Sequence, residues 1–346
     1  MLAKVNAVKN NNNKLIRLVS VFALALLGSG CNLIYKTTGD TMAGYSADHA
    51  VPFIMSLDDT DMGCASGEAM TPLLMSFSRV TNPAHNVGVL MYASAASCAE
   101  QKAWDEELRY LRALKAGNAA EAEDARETQK RYFALAAQRQ YKAYRHMESY
   151  FEVNVGEECG DVDDREDQLV WLVGNLAGLQ SLNSQMSSLS DQGIPLNLAS
   201  KVGRAAECLD DADWWGVPSA MRAVVWTMVP GTMPKGQDAW ARLSLASKQG
   251  ENVGVRLAHV FEALAAANAN NTELLKNVIR SHAESLKSMP VRKDAAMLDR
   301  IATLNIRAIS DRMWTEHTGH RTPAGKLGKF PDDVVKVETL DLDDLL

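Results

Sequence analysis

Apolar residues recur along most of this chain at steps of three and four, the spacing that lines one face of an α-helix. Leu169, Leu172, Val173, Leu176 and Leu179 show it most plainly, within a helix expected over 167–190. The same periodicity predicts helices over about 41–57, 62–79, 87–116, 118–153, 194–209, 218–226, 236–248, 252–268, 272–288 and 293–313. Breaks fall at turn-forming runs: Asn82-Pro-Ala-His-Asn, the acidic Gly156-Glu-Glu-Cys-Gly-Asp-Val-Asp-Asp, Asp210-Asp-Ala-Asp-Trp-Trp-Gly-Val-Pro and Pro230-Gly-Thr-Met-Pro-Lys-Gly. Asp61 is the expected cap of the second helix, and Pro218 suits a first turn, where its missing N–H costs nothing. Alternation of apolar and polar residues never persists long enough for a half-buried strand. The fold class expected is all-α: about ten helices in antiparallel hairpins, forming an α-solenoid or bundle with degenerate tetratricopeptide-like repeats. No 34-residue period is present.

The N-terminal segment follows another pattern. Lys14 and Arg17 precede an uncharged apolar run, Leu18–Leu27, then Gly28-Ser-Gly and Cys31. The run is too short for a membrane span and has the order of a secretory leader. A cysteine directly after small residues resembles a bacterial lipobox, in which the thiol is lipidated and becomes the mature N-terminus. Here Gly28 stands where lipoboxes usually carry leucine, and simple secretion is the alternative. The organisation expected is a leader over 1–30, a tether over 31–40, a helical domain over 41–313 and an extended acidic tail over 314–346.

Charge sharpens this picture. The chain carries 36 basic and 43 acidic residues, a net −7. Removing residues 1–30 takes away Lys4, Lys9, Lys14 and Arg17 and leaves −11. Nucleic acid wants a basic face, so no nucleic-acid partner is expected. Nor is a general attraction to anionic lipid, which leaves the lipid on Cys31 as the membrane attachment. Asn32 follows the cysteine in place of the aspartate that commonly retains lipoproteins at the inner membrane, favouring the periplasmic face of the outer membrane.

With Cys31 lipidated, Cys64, Cys98, Cys159 and Cys208 remain, an even number that favours disulfides in an exported protein. Cys64–Cys98 and Cys159–Cys208 are the expected pairs, each joining neighbouring helices and each adding roughly 3–4 kcal/mol in the chain-entropy account. No Cys-x-x-Cys spacing supports a metal site instead.

Candidate chemistry is sparse. Trp171, Trp214, Trp215 and Trp226 cluster in the second half with Arg222 and Arg256, which stand among apolar residues. Aromatic walls with a few cationic anchors could line a ligand cleft, and a buried arginine needs a carboxylate, from the protein or from an organic acid. Core packing and a structural ion pair are the competing readings. His317 and His320 have a His-x-x-His spacing, a weak zinc signal because Gly319 interrupts the turn. No nucleophile elbow and no phosphate loop occurs. Neither cofactor nor enzymatic activity is expected, a metal-dependent hydrolase at His317 and His320 being the least favoured alternative.

Several stretches together carry a resemblance: Cys31 with Ala50-Val-Pro-Phe-Ile-Met, Asn82-Pro-Ala-His-Asn-Val-Gly-Val-Leu-Met-Tyr-Ala-Ser-Ala, Arg131-Tyr-Phe-Ala-Leu-Ala, Val170-Trp-Leu-Val-Gly-Asn and Pro230-Gly-Thr-Met-Pro-Lys-Gly-Gln-Asp-Ala-Trp-Ala-Arg-Leu. In pattern and order, over roughly residues 31–268, the chain resembles the periplasmic T component of tripartite TRAP transporters. That resemblance implies an all-helical lipoprotein with cryptic tetratricopeptide-like hairpins. It also implies homo-oligomers and binding to a periplasmic solute-binding protein, in moving a hydrophobic or organic-acid ligand. The expected function is therefore a lipid-anchored binding or scaffold protein serving such a transporter, the alternative being a structural envelope lipoprotein that binds only protein.

Overall fold

A computed structural model describes residues 32–333. The leader, the lipidation candidate Cys31 and the end of the tail from residue 334 lie outside the described residues. Among the described residues there are eleven helices and no strand, so the all-α expectation holds.

Helix α1 spans 32–45, widens through a π-type turn at Ser46–Ala50 and ends as Val51–Met55. Its widened turn lies just ahead of Pro52, whose ring nitrogen cannot donate to the carbonyl one turn back. Helices α2 (Thr60–Ser76), α3 (His85–Lys115), α4 (Ala119–Phe151) and α5 (Arg165–Ser188) follow as long antiparallel neighbours. The shorter α6 (Leu198–Ala205), α7 (Val217–Met228), α8 (Ala239–Glu251), α9 (Leu257–Asn268) and α10 (Thr272–Ser288) lead to α11 (Ala296–Thr318). Helix α11 packs on α9 and also returns to α1, α2 and α3, so the array closes on its own beginning.

Side chains that accept bonds from free N–H groups mark five of the eleven helix starts. Asn118 caps α4, Asp164 caps α5, Asp238 caps α8 and Asn271 caps α10. The cap of α2 is Asp59, not Asp61: Asp59 keeps an extended backbone and accepts from Asp61 N and Met62 N, while Asp61 already lies within the helix. Pro218 occupies the first turn of α7, as its position suggested.

Small residues set the spacing in the first half. Ala95, Ala96, Ala99 and Ala103 on α3 and Ala122, Ala125, Ala136 and Ala137 on α4 are buried. A Cβ at Gly67 would lie 2.5 Å from Ala95 N, so only glycine permits the approach of α2 to α3. Both expected disulfides form: Cys64–Cys98 ties α2 to α3, and Cys159–Cys208 ties the acidic loop to the end of the α6 segment.

Two boundaries differ from expectation. Residues 32–40, expected as a tether, are helical, with the Thr37 and Thr38 hydroxyls donating to Leu33 O and Ile34 O at 2.8 Å. Asp40 accepts a hydrogen bond from Thr81, which holds this stretch against the end of α2. At the other end α11 runs through the expected boundary at 313 and stops at Gly319, whose φ of 85° ends the helix. Residues 320–333 fold back rather than extend, because Phe330 is buried and the acids beside it meet cations on α10. Lys276 Nζ pairs with Asp332 at 2.6 Å, Arg280 with Asp333 at 2.6 Å, and the Trp314 indole donates to Lys329 O at 2.9 Å. Among the described residues no helix is long and apolar enough to cross a membrane.

Candidate functional site

The structure separates the six residues expected to line a ligand cleft. Trp171 is fully buried, donates its indole N–H to Ala205 O at 2.9 Å and meets Phe151 edge-on. Trp214 is buried as well, donates to Gln168 Oε1 at 2.9 Å and lies 3.8 Å beneath the Arg165 guanidinium. Trp215, buried beside it in a left-handed turn with φ of 57°, carries an indole N–H with no partner among the described residues. These three are core: their rings fill the junction of α5, the α6 segment and α7, and none faces open space.

Arg256 is corrected in the same direction. Its side chain is 0 % exposed and its NH1 donates to both carboxylate oxygens of Asp299, at 3.0 and 2.9 Å. Its Nε donates to Ser285 Oγ at 2.8 Å, and NH2 donates to Ser285 O at 2.8 Å and to Met289 O. Asp299 also accepts from the Arg256 backbone N–H at 2.8 Å. The carboxylate this arginine required comes from the protein, leaving no donor for an organic acid.

Arg222 and Trp226 remain accessible and adjacent, the guanidinium 5.4 Å from the ring centroid. Arg222 pairs with Glu207 at 2.7 Å across the rim of an open cleft of about 270 Å³. Glu207, Asp210, Asp211 and Ser219 line the cleft, and below it Trp171, Leu172 and Met221 form a closed floor. Asp210 accepts from Ala212 N and Asp213 N at 2.7 and 3.1 Å. Asp211 accepts from Ser219 N at 2.7 Å and from the Ser219 hydroxyl, which Arg242 NH1 also approaches at 3.3 Å. Two of the three carboxylates thus hold the turn that leads into α7. The Ser219 hydroxyl donates to the Asp211 carboxylate, which fixes its direction. What remains outward is a guanidinium stacked on an indole, with Glu207 beside it, held next to the Cys159–Cys208 bridge.

Reading the sequence missed Glu207, Asp210, Asp211 and Ser219. The run Asp210-Asp-Ala-Asp was visible as a break, but its role as the wall of a cleft depends on the packing of the α6 segment against α7.

His317 and His320 sit at the end of α11 and in the turn that follows it. Lys115 Nζ donates to the backbone carbonyl of His317 at 2.6 Å, and His320 follows Gly319 in the turn. No group of three or more His, Cys, Asp or Glu able to hold a metal ion occurs among the described residues. The acidic loop is held from outside, with Arg204 Nε donating to Gly156 O at 2.7 Å.

No family model, no curated protein and no solved structure matches this chain.

Proposed function

We propose that this chain is an exported, lipid-anchored helical scaffold of the bacterial envelope that binds a protein partner through the face carrying Arg222 and Trp226. The observation that carries the reading is that pair, Arg222 on the cleft rim with Trp226 beside it. Arginine and tryptophan are among the residue types that most often anchor protein interfaces, and Glu207 pairs with this arginine at 2.7 Å. The two disulfides support an oxidising compartment, in keeping with the leader-like N-terminal segment.

The resemblance to the TRAP-transporter T component makes a periplasmic solute-binding protein the partner of choice. The buried positions of Trp171, Trp214, Trp215 and Arg256 support a role in docking that receptor over one in holding its hydrophobic or organic-acid ligand. A homo-oligomer on the periplasmic face of the outer membrane is part of the same proposal.

The test is native mass spectrometry of the protein purified from periplasmic membranes, alone and mixed with a periplasmic solute-binding protein of a TRAP-type transporter. A defined complex that weakens at least tenfold on Trp226→Ala or Arg222→Ala is the expected result. An empty monomer that ignores the receptor overturns the transport reading. A complex with some other envelope protein replaces it with the structural-lipoprotein alternative.

A further inference from the structure

The N-terminal turn of α3 and the last third of α4 bring two histidines together outside the cleft. His85 Nδ1 and His146 Nδ1 are 3.0 Å apart, and both rings are part-buried at the edge of the hairpin. The His146 ring is seated deliberately. It lies over Gly88, where a Cβ would come within 2.7 Å of Nδ1, and it stacks on Tyr92 with centroids 5.3 Å apart. His85, Gly88 and Tyr92 share one face of α3, at the spacing of successive helical turns. A glycine notch, an aromatic floor and a second imidazole therefore fix one ring nitrogen opposite another.

We infer that His85 and His146 form a site for a divalent transition-metal ion of the Zn²⁺ class, with both Nδ1 atoms as ligands and water completing the coordination. Zn–N bonds of about 2.0–2.1 Å place two donor nitrogens about 2.9 Å apart at a right angle and about 3.3 Å apart at the tetrahedral angle. The observed 3.0 Å lies between these limits. Without metal, one ring must donate its Nδ1–H to the other. Binding needs both Nδ1 lone pairs, so the donor ring moves its proton from Nδ1 to its own Nε2 through water, with no net release. Neither Nε2 has a hydrogen-bond partner within the described residues, so the tautomer shift breaks nothing. Lys142, 5.7 Å from the Tyr92 ring centroid, is the nearby charge that opposes a cation. With two protein ligands and that charge beside it, the site is an exchangeable one, unlike a structural zinc centre.

The probe is Zn²⁺ itself, titrated calorimetrically into the untagged full chain in detergent. One equivalent is expected, with an affinity that falls at least tenfold in His85→Ala and again in His146→Gln. A His317→Ala/His320→Ala double variant is expected to bind as the parent does. Should His146→Gln fail to fold, the part-exposed His85→Ala decides the matter alone. Absence of a stoichiometric site, or binding unchanged by His85→Ala, overturns the inference. Binding lost only in the His317/His320 variant overturns it as well and moves the site to the end of α11.

Discussion

The same contact occurs twice in this molecule. His85 and His146 meet Nδ1 to Nδ1 at 3.0 Å between α3 and α4, and His259 and His282 meet Nδ1 to Nδ1 at 3.2 Å between α9 and α10. The first pair is open at its edge, with both outer nitrogens unengaged. The second is sealed: both side chains are essentially inaccessible, His282 Nε2 lies 3.0 Å from Thr303 Oγ1, and Glu251 Oε1 lies 3.1 Å from His259 Nε2, too poorly aligned for a directed hydrogen bond. Burial drives the His282 imidazole well below its ordinary range. Identical chemistry thus becomes an exchangeable site in one hairpin and a fixed strut in the other, because their surroundings differ.

That difference extends to the halves that contain the pairs. The first half packs by closeness: alanines and Gly67 let helices touch backbone to backbone, and the Cys64–Cys98 bridge clamps the result. The last four helices pack around paired polar groups, Arg256 with Asp299, Ser247 with Glu262 at 2.5 Å, and the histidine chain. In the first half Glu100 is the instructive exception, a buried carboxyl with only Gln140 as its recognised polar neighbour, pushed up to about 7 by burial.

The contrast breaks most easily at Asp299. Asp299→Ala leaves the Arg256 guanidinium buried and unpaired, a loss expected to cost about 3–5 kcal/mol in urea denaturation. A loss under about 1 kcal/mol would mean that the last helices do not depend on their buried charges. Next come the clamps. Serine at both cysteines of either bridge is expected to cost up to about 4 kcal/mol, since the bridged residues are 34 and 49 positions apart. The same urea denaturation checks it, and a loss under about 1 kcal/mol would show that the bridges add little to the packing around them.

Glu100 sharpens the comparison more gently. Its folded-state pKa is raised from 4.5 to about 7, so its contribution is fully present below about pH 4.5 and is lost as pH rises toward 7. The change is on the order of 3 kcal/mol. Glu100→Gln should melt higher than the parent at pH 8, match it near pH 4.5 and flatten the slope between. An unchanged slope would show that this carboxyl is not what titrates.

Much of this architecture was legible because helical periodicity is a local signal. The apolar stripe of α5, the proline that opens α7 and the even set of cysteines each declare themselves within a few dozen residues. What stayed hidden depends on distant partners. Arg256 announces a need for a carboxylate, but Asp299 is 43 residues away, and only the packing of α11 on α9 chooses it. The four tryptophans looked alike in sequence, yet three became core and Trp226 stayed half-buried at its edge, since which side of a helix is covered depends on its neighbours. His85 and His146, 61 residues apart, gave no signal at all before the hairpin brought them together. Even at the cap of α2, Asp59 and Asp61 are equivalent as residue types, and the backbone leading in decides between them.

The Cys64–Cys98 bridge has a mechanical consequence. If tension is applied at residue 32, α1 can peel away, and the chain can lengthen by on the order of 100 Å before Cys64 draws tight. From there the load passes through a covalent bond directly into the middle of α3, leaving most of α2 out of the force path. Helix α1 and the first turn of α2 then behave as a short leash of defined length, and the bridged block of α2 and α3 onward is what the leash holds.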